Sequence, residues 1–199
     1  MRKLILGISI IIFAVFILHS GFGKAAFAQI EEGSIVAIPA PASDSAKVLP
    51  QQVNYELPYP GMLPDNPFYF IKVIRDAIVK RLISDPYKKA QFSLLTSQKR
   101  LYAGKLLIKK GKMQLALDTI SKSNNYLDDA LASIKEVKKT HPKNPDLNLF
   151  LEQFNIVTLK HSEVLDGVKP MVDNDYREKL LWEKKRVLDN GKNVRELLK

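Results

Sequence analysis

Proline placement constrains this chain more than any other feature. Prolines stand at Asn66-Pro67, Asp85-Pro86, His141-Pro142, Asn144-Pro145 and Lys169-Pro170, and apolar residues recur at steps of three and four between them. Proline has no amide hydrogen and its ring clashes with the preceding turn, so it opens or ends a helix and is excluded from the interior. The intervals between these prolines therefore set how long each helix can be.

Read with that punctuation, Asp65-Asn66-Pro67 opens a first helix, with Asp65 as the capping side chain and Phe68, Ile71, Ile74, Ile78 and Leu82 as one apolar stripe ending near Ser84. Asp85, ahead of Pro86, caps a second helix carrying Ala90, Leu94, Leu101 and Leu106 to about Lys110. Gly111 then supplies the left-handed residue that ends a helix, after two lysines suited to the negative helix end. A third helix runs from about Met113 to Lys139, with Leu117, Ile120, Leu127, Leu131 and Ile134 inward. Asp146 caps a fourth, bearing Leu147, Leu151, Phe154, Leu165 and Val168, and a fifth from about Asp173 to Leu198 carries Tyr176, Leu180, Val187, Val194 and Leu197.

No segment alternates with period two over a strand length. Five helices with short connections predict an all-α fold, an up-and-down antiparallel bundle. The spacing of Gly104, Gly111, Ala116 and Ile120 within Arg100 to Ser123 echoes a single tetratricopeptide hairpin, but no 34-residue repeat follows.

The N-terminal region reads as an address. Arg2 and Lys3 precede an uncharged, mostly apolar run from Leu4 to Leu18, and Ala26-Phe27-Ala28 presents small residues before Gln29. This is the pattern of a secretory signal cleaved between Ala28 and Gln29; a retained anchor over the same run is the alternative. Both place the remainder outside the cytoplasm. A Pro-rich, small-residue tether over residues 29–54 leads to the helical domain over 55–199. Pro58, Pro60 and Pro64, interleaved with Tyr55, Leu57, Tyr59, Met62 and Leu63, predict an extended strap from Val53 to Pro64 docked on that domain.

Charge is reinterpreted accordingly. The 199 residues carry 31 basic and 21 acidic side chains. Loss of residues 1–28 removes Arg2, Lys3 and Lys24 and leaves a net charge of +7. The basic residues are 24 lysines to 7 arginines, the balance of a solvated surface rather than of a phosphate or base reader, so no nucleic-acid partner is expected. No cysteine is present, which excludes disulfides, thiolate metal sites, thiol nucleophiles and a lipid-modified cysteine.

Candidate chemistry does not assemble from the residue types. His141 lies in a proline-bounded loop, and His161 on the fourth helix reads as a surface or semi-buried residue hydrogen-bonded to a neighbour. No HExxH pattern or i, i+4 histidine pair exists, so neither metal nor cofactor is expected. Asp173-Asn174-Asp175 starts like a calcium loop but lacks the glycine at the sixth position and the glutamate at the twelfth, where Lys184 stands, so helix capping is expected instead. Asp128 and Asp129 are sequence neighbours on a helix and do not face each other, which describes a solvated face and not an acid–base pair. No catalytic residue is assigned.

Three short stretches carry a family resemblance: Leu63-Pro64-Asp65-Asn66-Pro67-Phe68-Tyr69 with Lys72, then Ser84-Asp85-Pro86-Tyr87-Lys88-Lys89-Ala90, then Gln98-Lys99-Arg100-Leu101. In these the chain resembles the uncharacterised bacterial family DUF5667, strongly from Tyr55 to Ser121 and over about 55–140 in all, with Gln91 departing from the acidic residue common there. The resemblance implies an exported or membrane-anchored helical protein and supplies no activity. The expectation is an exported, non-enzymatic interaction or structural module whose partner is a protein or envelope component. One alternative is a sensor with an apolar pocket lined by Phe68, Tyr69, Phe70, Phe92, Tyr102, Phe150, Phe154 and Trp182. A second is adhesion to an anionic membrane or cell-wall surface, with N-terminal membrane association if the signal is uncleaved.

Overall fold

The computed structural model describes residues 53–199. The signal-like segment with Ala26, Ala28 and Gln29, and the tether up to residue 52, lie outside the described residues. Within them the fold is all-α: α1 Tyr69–Leu82, α2 Pro86–Lys109, α3 Met113–Thr140, α4 Leu147–Val168 and α5 Asn174–Leu197, with a 3-10 turn Lys169–Met171 leading into α5.

The boundaries follow local chemistry, though not always through the expected side chain. Asp85 accepts the amide hydrogen bond of Tyr87 at 2.9 Å, with Pro86 filling the first helical position. At the other end of α2, Gly111 takes φ +73°. Its N–H donates to the Ile108 carbonyl at 2.9 Å and that of Lys112 to the Leu107 carbonyl at 3.0 Å, a Schellman closure. Asp65 does not cap α1: the helix starts four residues later, after Phe68, and Asn66 accepts the Phe68 amide at 2.9 Å. Asp65 instead receives Lys110 and Lys112, each at 3.0 Å, and both hold its carboxyl below its usual range, Lys112 foremost. Asp146 occupies the cap position of α4 without a side-chain cap bond, and Asn144 takes over by accepting the Asp146 amide at 2.9 Å. Asp173 likewise precedes α5 without capping it through its side chain.

Helices α2 to α5 enclose the core, which includes Leu94, Leu101, Leu107, Leu117, Ile120, Leu127, Ile134, Leu151, Phe154, Leu165 and Val187. Consecutive helices alternate in direction, and α2–α3 and α4–α5 form two hairpins. Backbones approach most closely within the first, where a Cβ on Gly104 would stand 2.6 Å from Ile120 Cγ1. In the second, a Cβ on Gly191 would meet Thr158 Oγ1 at 2.9 Å.

Between hairpins the neighbours run parallel. Lys179 meets Asp118, Glu183 meets Asn124, Asn190 meets Asp128 and Lys135 meets Asn193, so α3 and α5 stay in register at separations of 58 to 62 residues. Tyr87 at the start of α2 likewise packs on Phe150 at the start of α4, ring centroids 5.7 Å apart. The bundle is thus two hairpins laid side by side, α2 beside α4 and α3 beside α5.

The strap is docked. The Val53 N–H donates to Glu163 Oε2 at 2.8 Å, Lys160 Nζ donates to the Val53 carbonyl at 3.1 Å, and the Tyr55 hydroxyl donates to Gln98. Tyr55 and Leu57 pack on the core, Pro60 is buried, and Gly61 makes the left-handed turn at φ +67° before α1.

Candidate functional site

Helix α1 packs the wrong way round. Its apolar stripe faces solvent: Phe70 is 57% exposed, Ile74 54%, Ile78 50% and Leu82 73%, with Phe68, Ile71 and Val73 also exposed. Its one buried residue is Asp76. The expected apolar stripe of Phe68, Ile71, Ile74, Ile78 and Leu82 is the outward one, because a second stripe with the same period, Tyr69, Lys72, Asp76 and Lys80, has specific partners on the bundle.

Those partners come from α2 and α3. Asp76, 4% exposed, faces Arg100 Nη2 of α2 at 3.5 Å and accepts from Arg75 Nη2 at 2.8 Å and Nε at 3.2 Å. Arg100 also donates to the Tyr69 hydroxyl at 2.9 Å and stacks on the Tyr126 ring of α3, its guanidinium carbon 5.0 Å from the centroid. Lys80 pairs with Asp129 of α3 and lies 5.2 Å from the same ring. Lys72 donates to the Pro60 carbonyl at 2.6 Å and lies 5.5 Å from the Tyr69 ring. Burial is the main reason the pKa of its ammonium is pushed down to about 8, well below that of an ordinary lysine. This seam satisfies Asp76 but leaves Arg100 Nε without a partner.

The remaining candidates do not converge. His161 is completely buried on α4 and neither ring nitrogen has a hydrogen-bond partner, contrary to the expected hydrogen-bonded, surface or semi-buried residue. Burial holds it neutral, with a pKa pushed down to about 3. His141 contacts Thr140 at an exposed turn. Asp128 and Asp129 serve separate neighbours, Asp128 binding Arg186 and Asn190 and Asp129 binding Lys80. The eight aromatics proposed as a pocket lining are dispersed: Phe150 and Phe154 pack edge to face in the core, while Phe68, Phe70 and Trp182 are exposed. Among the described residues, no group of three or more His, Cys, Asp or Glu side chains could hold a metal ion. No helix among them is long and apolar enough to cross a membrane.

Sequence reasoning missed Asp76, Tyr126 and Asp129 as a set. The available signal was the opposite charges of Asp76 and its i+4 neighbour Lys80 on one face of α1, an arrangement that asks for external partners as readily as for solvent.

Fold and site together define a helical-bundle domain that presents a helix by its polar side. The chain belongs to the family described as Domain of unknown function (DUF5667), whose model matches residues 61–175. Tyr69, Lys72 and Arg100, three of the residues that carried the resemblance, all lie in the α1 seam, and Asp85 caps α2 beside it. The match ends inside the first turn of α5, although Leu180, Val187 and Val194 of that helix complete the core. No curated protein and no solved structure matches the chain.

Proposed function

We propose that this protein is an exported, non-enzymatic interaction module of the bacterial envelope that works by presenting α1. The observation that carries this reading is the inverted helix: a buried Asp76–Arg100 pair and a Lys80–Asp129 pair hold α1 so that a continuous apolar face points away from the bundle. A folded domain gains nothing from exposing such a face unless something covers it. The sequence supports the location, since the basic, apolar and small-residue order of residues 1–28 is that of an export signal.

The test is protease accessibility in intact bacterial cells expressing the full chain. The reading expects external protease to degrade the protein while a cytoplasmic marker survives. Protection equal to that of the marker would overturn the location. A turnover abolished by changing one side chain would overturn the non-enzymatic part.

A further inference from the structure

The seam where the strap, α1 and α2 meet holds more cations than acids. On α2, Gln98 receives the Tyr55 hydroxyl of the strap and Arg100 donates to Tyr69 of α1, so half-buried Lys99 stands between strap and helix. Lys72 reaches the same place from α1, where it donates to the Pro60 carbonyl at 2.6 Å. Lys72, Arg75, Lys99 and Arg100 lie close enough to act on one another's charge, and the acid among them is Asp76, so four cations against one acid leave +3. Asp76 is already committed, accepting from Arg75 at 2.8 and 3.2 Å and facing Arg100 at 3.5 Å. Lys99 makes no hydrogen bond or ion pair with the described residues, and the buried Nε of Arg100 has no partner.

Like charges on an open surface are screened by water and salt, but these are partly withdrawn from solvent, where their repulsion acts through a lower dielectric. Burial foremost, and then the neighbouring cations against the pull of Asp76, lowers the pKa of both Lys72 and Lys99. Donors and positive charge are in surplus here, and what is missing is a partner that only accepts. From this we infer that the seam binds a multiply charged oxyanion of the phosphate class, held by Lys99 and Lys72 with Arg75 at its edge and Arg100 behind. An ammonium is a compact charge with three donors, and such groups are common phosphate binders. A dianion brings +3 down to +1, whereas a carboxylate or chloride leaves +2. Lys99 has no bond for the anion to displace, and Arg75 engages Asp76 through Nε and Nη2, leaving Nη1 open. This site is separate from the apolar face of α1 and does not depend on where the chain resides.

Two calorimetric titrations of the full chain test this. In the first, at pH 7 and low salt, inorganic phosphate is compared with glycerol phosphate, which separates a site for the free ion from one for a phosphate ester. One saturable site is expected, weakened at least about tenfold in Lys99→Gln and unchanged in Lys192→Gln, a change at an exposed lysine of α5. Lys99→Gln removes no bond of the fold, so its urea midpoint without phosphate should equal or exceed that of the parent. In the second, sulfate is added at pH 8, where its own charge is fixed. A bound dianion favours the charged form of Lys72, whose pKa in the free protein is about 8, so binding takes up protons and the measured heat varies with the buffer's ionisation enthalpy. Lys72→Arg, charged throughout, should bind sulfate without that uptake.

Tighter binding of either phosphate compound supports the site and names its form of ligand. The inference is overturned if neither compound saturates, if Lys99→Gln binds as tightly as the parent, or if Lys192→Gln weakens binding as much as Lys99→Gln does. Sulfate bound at pH 8 with no proton uptake also overturns it, and that measurement on the unaltered chain decides the matter whether or not a variant folds.

Discussion

His161 sits in the core with both ring nitrogens unpartnered, so its neutral form is the one the fold tolerates. The unfolded residue takes a proton near pH 6.5, whereas the folded one does so only near 3. Above about pH 6.5 neither state binds that proton and stability is constant; below it only the unfolded chain does, and stability falls by up to about 1.4 kcal/mol per pH unit. Urea unfolding is expected to show a loss of roughly 2 kcal/mol between pH 7 and pH 5 from this residue, absent in His161→Leu. At neutral pH the same variant should be about 1 to 2 kcal/mol more stable, since it removes buried polar atoms that lack partners. Glycines give a second pair of outcomes. Gly104→Ala brings a methyl to 2.6 Å from Ile120 Cγ1 and is expected to cost about 1 to 3 kcal/mol, whereas Gly167→Ala meets nothing within 4 Å and should gain about 0.5 to 1 kcal/mol. Thermal or urea midpoints of the two variants should therefore move in opposite directions. The sequence sets Gly104 apart only through its spacing with Ala116 and Ile120; that a methyl there meets those residues, while one at Gly167 meets nothing, is a matter of distance to another helix.

Among the helices, α1 is held differently from the rest. Apolar burial supports α2 to α5, while α1 contributes no apolar side chain to the core and is fixed by the seam around Asp76, Arg100 and Tyr126. A helix of 14 residues is marginal when isolated, so its order depends on those contacts. Asp76→Ala leaves Arg100 buried without its acid, a loss on the scale of about 3 to 5 kcal/mol unless the helix lets go. The expected outcome is release: in hydrogen exchange the amides of α1 lose most of their protection while those of α2 and α3 keep theirs. Equal loss across all helices would show that α1 is integral to the core. This helix is also where the sequence was least legible. Its length and period were readable, and so were the other four helices, because proline, capping residues and apolar spacing are local signals. Which stripe of α1 faces inward depends on Arg100, Tyr126 and Asp129, which lie 24 or more residues from Asp76, and no local signal carries that. The caps show the same limit: Asp85 was readable, while Asp65 was diverted by Lys110 and Lys112 across 45 or more residues of chain.

At the scale of the molecule, two hairpins share one core, and the α3–α5 contact between them is unusually polar. Asn124 donates to the Glu183 carbonyl at 3.0 Å and to its carboxylate at 2.7 Å, and Arg186 donates to that carboxylate at 3.0 Å. Glu183→Ala removes the shared acceptor from a buried position and is expected to lower the unfolding free energy by about 1 to 3 kcal/mol. It should do so with an unchanged urea m-value if the hairpins still unfold together; a second transition would show that this contact joins them. The parallel relation of the hairpins was not readable from the sequence, which predicted alternating directions but has no repeat of motif at the 58 to 62 residue spacing that the structure uses. The strap sets how the molecule responds to force. Val53 is bonded to Glu163 and Lys160 of α4, and Lys72 of α1 holds Pro60, so the chain entering from its N-terminal side is fastened in two places before it reaches α1. Tension arriving along that chain is borne first at α4 and passes to Lys72 of α1 only after the Val53 bonds break. While the Val53 bonds hold, the domain can therefore be tugged from its N-terminal side without loading the helix that faces outward.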